Sequence, residues 1–344
     1  MSLQDIRVTV IMACHNSSAY LDEAVRSVLD QTLGNLELIL IDDCSTDNTI
    51  EIGKHYQIED DRVSVIALPV KSGPACARNA GIRLARGEWV GILDSDDIAM
   101  PSRFEEQLRL ANSDKKLVMV GSGAMSIDKD GHVIKEYRYP TDHKDLVRKL
   151  YSLQAFLPHS SIVYRRDAVR RLAYFNPRYS LSEDYDLWLR LSEVGEMASI
   201  DEPLVKIRKH ERNVSNSERG LLQHRFGSAA TICHFLRIQG CSDPSTSNEE
   251  TTWQEFFRWA DKRMMEEAVY ERREAWADAR AAYFGTSNRL TGALRFGTRF
   301  LQSGHASALM REKFFGSSLP ERLAEEWMNS HVRHRRFRIQ SSNR

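Results

Sequence analysis

The feature that most constrains the fold of this sequence is an alternation of short apolar runs and amphipathic segments over residues 7–93. Four runs have the short, apolar composition of buried strands: Arg7–Ala13, Leu36–Ile41, Val63–Leu68 and Trp89–Leu93. Helical spacing of apolar residues marks the segments between them: Tyr20–Asp30, Thr49–Tyr56 and Pro74–Ala85. Because crossover helices join parallel strands, the alternation predicts an α/β fold with a mostly parallel central sheet.

Polar clusters follow three of these predicted strands at the point where each strand ends. They read HNSS after the first strand, DDCSTD after the second and DSDD after the fourth. Ligands of open parallel sheets bind outside the carboxyl ends of the strands. The three clusters therefore mark the predicted binding edge of the sheet.

The DSDD cluster places three carboxylates, Asp94, Asp96 and Asp97, close together on one loop. Asp97 can cap a helix that starts near Pro101, but capping accounts for one carboxylate and not for three. Like charges this close raise one another's pKa and destabilise the fold unless a cation lies among them. Oxygen ligands suit a hard ion such as Mg²⁺ or Mn²⁺, which completes its shell with substrate phosphates. The cluster thus predicts a site for a cation and a diphosphate.

Two further acidic pairs allow both a structural and a functional interpretation. Asp42 and Asp43 belong to a turn rich in Asx and Ser/Thr residues, yet a carboxylate there can also accept hydrogen bonds from a nucleobase. Glu183 and Asp184 start a predicted helix, Asp184–Ser192, where acids favour the helix dipole. A carboxylate at this position can also remove a proton from a hydroxyl that attacks an electrophile.

The ordered set of motifs resembles the family 2 glycosyltransferases, which are inverting sugar transferases with the GT-A fold. The resemblance covers residues 6–215 and rests on VTVIMACHNSSAYLDEAVRSVLDQTLGNLELILIDDCSTDNT, SGPACARNAGIRLARGEWVGILDSDD, PHSSIVYRR, SEDYDLWLR and IRKHERNVS. The family often has Tyr before the first-strand Asn and Gly after the DD pair. His15 and Cys44 occupy those positions here.

The resemblance implies a nucleotide-sugar site built from the strand-end residues. By analogy, Ala13, His15 and Asn16 frame the base and ribose, and Asp43 binds the base with Asp42 beside it. Nucleotide-sugar contacts are also expected from Arg78, Asp94 and Asp96. The implied metal ligands for Mn²⁺ or Mg²⁺ are Asp97, Asp96 and His210, with Arg208 and Lys209 available to neutralise phosphate.

The resemblance also implies the reaction. Asp184 is expected to be the general base, with Glu183 raising its pKa by repulsion. His159 and Trp188 are expected on the acceptor side. The implied reaction is a single displacement with inversion, from a UDP-sugar or another nucleotide diphosphate sugar to a hydroxyl of a glycan or lipid-linked acceptor, in the synthesis of surface polysaccharide or glycoconjugate.

The character of the chain changes after the catalytic motifs. We predict a catalytic domain over residues 1–218, a helix and polar linker over 219–252, and a helical domain over 253–344 with helical patterns in 253–264, 266–284, 289–302 and 319–330. The last 14 residues hold five Arg and no acid, a composition that can dock on an anionic membrane leaflet. The five scattered cysteines indicate free thiols in a reducing cytoplasm.

Other classes of protein fit these residues less well. Lys and Arg number 48, as do Asp and Glu, so charge gives no argument for nucleic-acid binding. A dehydrogenase is disfavoured because no G-x-G-x-x-G follows the first strand. A nucleotidyltransferase would need a Gly-rich loop where this chain has ACHNSSA. A non-catalytic binding or scaffold protein of the same fold stays open, although retention of the DSDD and ED acids argues against it.

Overall fold

The predicted alternation forms a mixed sheet with flanking helices in a computed structural model, which describes residues 6–152, 156–210, 217–267 and 319–341. Nine strands fall within these residues: β1 Val8–Cys14, β2 Leu36–Asp42, β3 Val63–Ala67, β4 Trp89–Ile92, β5 Ile98–Ala99, β6 Leu117–Ile127, β7 Val133–Tyr137, β8 Val163–Arg165 and β9 Glu196–Arg208. The helices of the same ranges are α1 Leu21–Leu29, α2 Thr49–Glu59, α3 Pro74–Leu84, α4 Arg103–Ala111, α5 His143–Tyr151, α6 Arg166–Arg171, α7 Glu183–Ser192, α8 Ser217–Ile238, α9 Glu250–Glu266 and α10 Leu319–Ser341.

The strands follow the order β3-β2-β1-β4-β8-β6-β9-β5, and β7 pairs with β6. Strands β1 to β4 form a parallel group, which the alternation predicts. Strand β8 is antiparallel to both β4 and β6, whereas β6 is parallel to β9. The α/β fold class is therefore confirmed, and the second half of the sheet adds antiparallel pairs to the parallel half.

Burial of apolar side chains explains why these elements pack as they do. Every residue of β2 is buried, and α1 buries a single face made of Leu21, Ala24, Val25 and Val28. Gly91 of β4 lies directly beneath Phe104 of α4, where a Cβ atom would approach the ring to 2.7 Å. This close contact packs α4 against β4, the strand that leads into the DSDD cluster.

The chain divides into two compact units: Met1–Leu150 with Ala155–Asn216, and Tyr151–Gln154 with Ser217–Arg344. The first unit contains the sheet. Within the second unit, the helical pattern predicted over 253–264 lies in α9, which buries Trp253, Phe256, Ala260 and Met264. The ring of Trp327 in α10 packs on Phe256, with the ring centroids 5.1 Å apart.

The polar linker that ends the predicted segment 219–252 contains an ordered turn. Asp243 and Ser245 are buried, and the Asp243 carboxylate accepts bonds from the Ser245 amide and the Arg237 guanidinium. The helical patterns in 266–284 and 289–302 lie almost entirely outside the described residues, as do the side chains of the basic segment 331–344. Across the part of the chain that is described, no helix combines the length and apolar character required to cross a bilayer.

Candidate functional site

The three strand-end clusters meet at one edge of the parallel half of the sheet. Cys14 at the end of β1 pairs with Asp42 at the end of β2. The Ser17 hydroxyl lies 2.6 Å from the Ser95 hydroxyl, which joins the HNSS and DSDD loops. Asn16 Oδ1 accepts a 2.8 Å bond from the Thr46 amide, which joins HNSS to DDCSTD. The sequence prediction that these clusters share an edge is therefore confirmed.

Two residues of this edge have left-handed backbones without being glycine. The φ angles of Asn16 and Cys44 are +52° and +58°. Side chains other than glycine rarely adopt this region, and such residues concentrate at functional sites. The Cys44 thiol donates to the Leu68 carbonyl oxygen at 3.2 Å.

Asp43 is held by the loop that precedes α3. Its two carboxylate oxygens accept the amides of Ser72 and Gly73 at 2.6 and 2.8 Å. His15 Nδ1 lies 2.9 Å from the Asp43 carbonyl oxygen, and Lys71 Nζ lies 2.8 Å from His15 Nε2. Because a carbonyl only accepts, Nδ1 carries the proton and Nε2 accepts from the lysine.

Asp42 and Ala13 lie deeper at the same edge. Asp42 is 5% exposed, and its Oδ2 accepts the Ser45 amide at 3.2 Å. Its Oδ1 is buried and has no hydrogen-bond partner among the described residues. Ala13 is half-buried in β1 and pairs with Ile41.

Arg78 of α3 connects the DSDD cluster to the start of α7. Its Nη2 donates to Asp94 Oδ1 and its Nη1 donates to Glu183 Oε1, each at 2.8 Å. Burial by itself would raise the pKa of Asp94, but the Arg78 charge brings that pKa below its ordinary value. Arg78 and Asp94 were both expected to contact the nucleotide, and in this structure they bond to each other.

Asp184 lies beside this bridge on the first turn of α7. Its Oδ1 accepts the Tyr185 amide at 2.7 Å. Burial, and then repulsion from Glu183, raise the pKa of Asp184 to about 7, against the lowering effect of Arg78. A carboxyl group with a pKa near neutrality is suited to general-base chemistry.

Asp96 and Asp97 lie against the end of β9. His210 Nε2 is 2.8 Å from Asp96 Oδ2, and the Arg208 amide donates to Asp97 Oδ1 at 2.9 Å. Burial, and then the charges of neighbouring aspartates, raise the pKa of Asp96 and raise that of Asp97 well above its ordinary value. Carboxyl groups in this state gain from a nearby positive charge.

The fit of a metal ion to these residues is partial. In the described ranges, no group of three or more His, Cys, Asp or Glu side chains is arranged to hold a metal ion. Two carboxylates and one imidazole nitrogen nevertheless form a donor set that suits Mn²⁺ or Mg²⁺. Such ions often take only one or two protein carboxylates and complete their shell with phosphates and water. Asp96 and His210 contact each other, and Asp97 bonds the Arg208 amide two residues before His210, but the shared cation site stays a prediction.

The two residues expected on the acceptor side lie in an aromatic cluster. Trp188 is 4% exposed, and its indole N–H donates to the Tyr164 hydroxyl at 2.7 Å. The His159 ring is 6.1 Å from Trp188 and 5.5 Å from Phe175, measured between ring centroids. Burial lowers the pKa of His159 well below its ordinary value, so this imidazole is neutral. Trp188 thus packs beneath the site and presents little surface to a ligand.

Several residues of this edge have contacts that the sequence analysis did not predict. Arg208 was expected to neutralise phosphate, but it is 2% exposed and its guanidinium pairs with Glu23. Arg103 of α4 is fully buried and donates to the Ile92 carbonyl oxygen at 2.9 Å. The Ser160 hydroxyl accepts the Asp94 amide at 3.0 Å. Only the proximity of these residues in space links them to the DSDD cluster.

Comparison with known proteins agrees with this geometry. The profile of "Glycosyl transferase family 2" matches residues 9–173. The O-antigen biosynthesis glycosyltransferase WbnJ of Escherichia coli is 31% identical over 242 residues, which cover 67% of this chain and 92% of WbnJ. An uncharacterized glycosyltransferase of Methanocaldococcus jannaschii, MJ1057, is 30% identical over 210 residues, which cover 60% of this chain and 72% of MJ1057.

A solved structure supports the fold. The crystal structure of S. aureus TarS 1-349 in complex with UDP-GlcNAc superposes with a TM-score of 0.57 at 17% identity, covering 94% of this chain and 92% of that one. At this identity the similarity is one of fold. Together with the sequence relatives and the converging strand-end clusters, it leads to one conclusion: the chain belongs to glycosyl transferase family 2 and is a glycosyltransferase with the GT-A fold.

Proposed function

We propose that this glycosyltransferase moves a sugar from a nucleotide diphosphate sugar to an acceptor hydroxyl by a single displacement that inverts the anomeric carbon. The observation that carries the proposal is the position of Asp184 at the start of α7. Its pKa of about 7 suits a base, and Arg78 and Glu183 connect it to the donor-side Asp94.

Asp184 is the proposed general base. An acceptor hydroxyl has a pKa far above neutrality, so it attacks better as its proton leaves. A carboxylate within hydrogen-bond reach can accept that proton in the transition state. Glu183 forms an ion pair with Arg78, so Glu183 and Asp184 have different roles. Glu183 positions Arg78 and tunes the pKa of Asp184, whereas Asp184 accepts the proton.

The donor side is proposed to lie along the strand ends. Asp43, His15 and Asn16 contact the base and ribose, and Asp96, Asp97 and His210 hold a divalent cation with the diphosphate. When bound, Mn²⁺ or Mg²⁺ supplies Lewis-acid neutralisation of the leaving diphosphate. UDP-sugar is the favoured donor because family 2 enzymes use it most. The UDP-GlcNAc complex of TarS, a protein of similar fold, supports this choice.

The acceptor is proposed to be a hydroxyl of a glycan or of a lipid-linked saccharide. The support is the relationship to WbnJ, whose name places that protein in O-antigen biosynthesis. Residues 1–218 would then be the catalytic domain, followed by the helical region. Contact of segment 331–344 with anionic lipid is a separate proposal, and equal liposome sedimentation of the full chain and a chain lacking that segment would contradict it.

Ligand-dependent thermal stability tests the donor site first. We expect one of UDP, GDP, dTDP and CMP to raise the melting temperature, with a larger rise when Mn²⁺ is present. Ligand at a hundred times its dissociation constant should stabilise by about 2.7 kcal/mol. With the donor nucleotide known, the anomeric configuration of the product, read by NMR, tests inversion. Binding without any turnover across acceptors would contradict the proposed activity and favour a binding protein.

A further inference from the structure

The ring of Tyr20 contacts two side chains from the end of β9. The Arg208 guanidinium carbon lies 4.5 Å from the ring centroid. The His210 imidazole stacks on the same residue, with centroids 5.4 Å apart and planes 26° apart. Tyr20 lies between the HNSS loop and α1, far in sequence from both residues. These contacts therefore join the first crossover of the sheet to its last strand.

Arg208 extends the same connection to the carboxylates. Its backbone amide bonds Asp97 Oδ1 at 2.9 Å, and its Nε bonds the Asp96 carbonyl oxygen at 3.0 Å. The guanidinium also pairs with Glu23 on the first turn of α1. With its side chain only 2% exposed, Arg208 is held on several sides and positions the backbone that leads to His210.

His210 is the residue of this group that faces the carboxylate. Its Nε2 is 2.8 Å from Asp96 Oδ2, and its side chain is 16% exposed. A hydrogen bond alone leaves the imidazole ring able to rotate about that contact. A flat aromatic neighbour restricts the ring plane as well, and aromatic and cation–π contacts each stabilise by about 0.5–2 kcal/mol.

We propose that Tyr20 is a positioning residue, whose ring fixes the end of β9 so that the His210 imidazole is set against the Asp96 carboxylate. The position itself follows from the contacts above. Its consequence for the enzyme rests on the proposed function, in which Asp96, Asp97 and His210 share a divalent cation with the donor diphosphate. Tyr20 touches neither substrate nor cation in this proposal and acts through Arg208 and His210.

The reactivity of His210 toward diethyl pyrocarbonate tests the position without any metal. Full-length protein in EDTA is carbethoxylated, and the modification rate of each histidine is followed by mass spectrometry. His55 on α2, with a side chain 65% exposed and paired with Glu59, is the internal reference for an exposed imidazole. In Tyr20→Leu we expect His210 to react about two- to thirtyfold faster than in the wild type, the factor that corresponds to losing one such contact.

Matched variants distinguish the effect of losing the Tyr20 ring from the effect of general destabilisation. Tyr20→Phe keeps the ring, so its His210 should react at the wild-type rate. Tyr137→Leu removes a ring that contacts Lys135 on β7, at 5.2 Å, and should leave His210 unchanged. If Tyr20→Leu fails to fold, Tyr20→Gln suits this half-buried position. An unchanged His210 rate in a folded variant without the ring would overturn the proposal, as would a faster rate in Tyr20→Phe.

A second measurement connects the position to ligand binding. For Tyr20→Leu we expect weaker Mn²⁺-dependent binding of UDP, the favoured nucleotide, with UDP affinity in EDTA unchanged and Tyr20→Phe matching the wild type. Equal loss with and without Mn²⁺ would overturn the proposal in favour of a general structural role. A wild-type protein with no Mn²⁺ dependence would contradict the proposed cation site, and the carbethoxylation rates would still decide the role of Tyr20.

Discussion

Arg78 donates to Glu183 through Nη1 at 2.8 Å and uses Nη2 for Asp94 at the same distance. One buried guanidinium thus neutralises an acid from the DSDD loop and an acid from the start of α7. The general-base candidate Asp184 follows Glu183 in the chain, and the charges of Glu183 and Arg78 both shift its pKa. The DSDD loop and the first turn of α7 are consequently one electrostatic unit.

Glu183→Gln should move the pH dependence of turnover to lower pH. Glu183 is the second cause, after burial, that raises the pKa of Asp184, so removing its charge lowers that pKa below about 7. The acid limb of the pH profile of kcat, measured from pH 5 to 9 with saturating donor, should move to lower pH as the pKa of Asp184 falls. Glu136→Gln, a surface ion-pair variant, is the control and should keep the wild-type profile. A limb that moves to higher pH would contradict this account.

Asp184→Asn should abolish most activity while leaving donor binding intact. Loss of a general base lowers turnover by about 10²–10⁴-fold. The variant should also be more stable than the wild type above pH 7. The raised pKa means that ionising Asp184 costs folding free energy, a penalty that grows as pH rises from about 4 to about 7.

Kinetics and thermal melts at pH 5 and pH 8 test these effects of Asp184→Asn, with exposed Asp167→Asn as control. Turnover near the wild-type level would exclude Asp184 as the base. A melting temperature lowered at pH 8 would contradict the sign of the pKa shift.

Asp97→Asn should have opposite effects with and without a divalent cation. Burial and the neighbouring aspartates raise the pKa of Asp97 well above its ordinary value, so this group lowers the stability of the metal-free protein as pH rises above about 4. The variant should therefore melt higher than the wild type in EDTA. It should also lose the additional stabilisation that Mn²⁺ gives to nucleotide binding. Retention of that additional stabilisation would argue against Asp97 as a metal ligand.

Gly91→Ala should destabilise the sheet beneath the DSDD loop. The new Cβ would lie 2.7 Å from Phe104 Cε1, and overpacking of this kind costs about 1–3 kcal/mol. Urea unfolding measures the change in the free energy of unfolding. Gly34→Ala, with no atom within 4 Å of its Cβ, is the control and should change stability by less than about 0.5 kcal/mol. Equal effects at the two positions would contradict the packing argument.

Local patterns were enough to predict the parallel half of the sheet and the edge that carries the site. Apolar runs, helical spacing and strand-end acids are properties of neighbouring residues, so β1 to β4 and their helices could be recognised. The strand β9 was not among the predicted strands, because its long run contains charged residues and a proline.

The partners of the site residues could not be predicted in the same way. Arg78 was expected at the nucleotide, yet it bonds Glu183, more than a hundred residues later in the sequence. Trp188 was expected near the acceptor, yet burial against Tyr164 turns it inward. Such contacts depend on which helix faces which strand, and spacing along one sequence contains no such information. The roles assigned to individual site residues stay predictions.

The pairing of β6 with β9 also bears on the order in which the site is completed as the chain folds. The pairs β1–β2 and β2–β3 join residues fewer than 30 positions apart, whereas Val8 of β1 pairs with Trp89 and Leu117 of β6 pairs with Glu196, each about 80 positions away. Closing a long loop costs entropy before the contacts it permits can stabilise anything, so distant pairs form late. During synthesis, Asp96 emerges 114 residues before His210. The last strand therefore completes the proposed cation site, because His210 follows that strand and lies against Asp96.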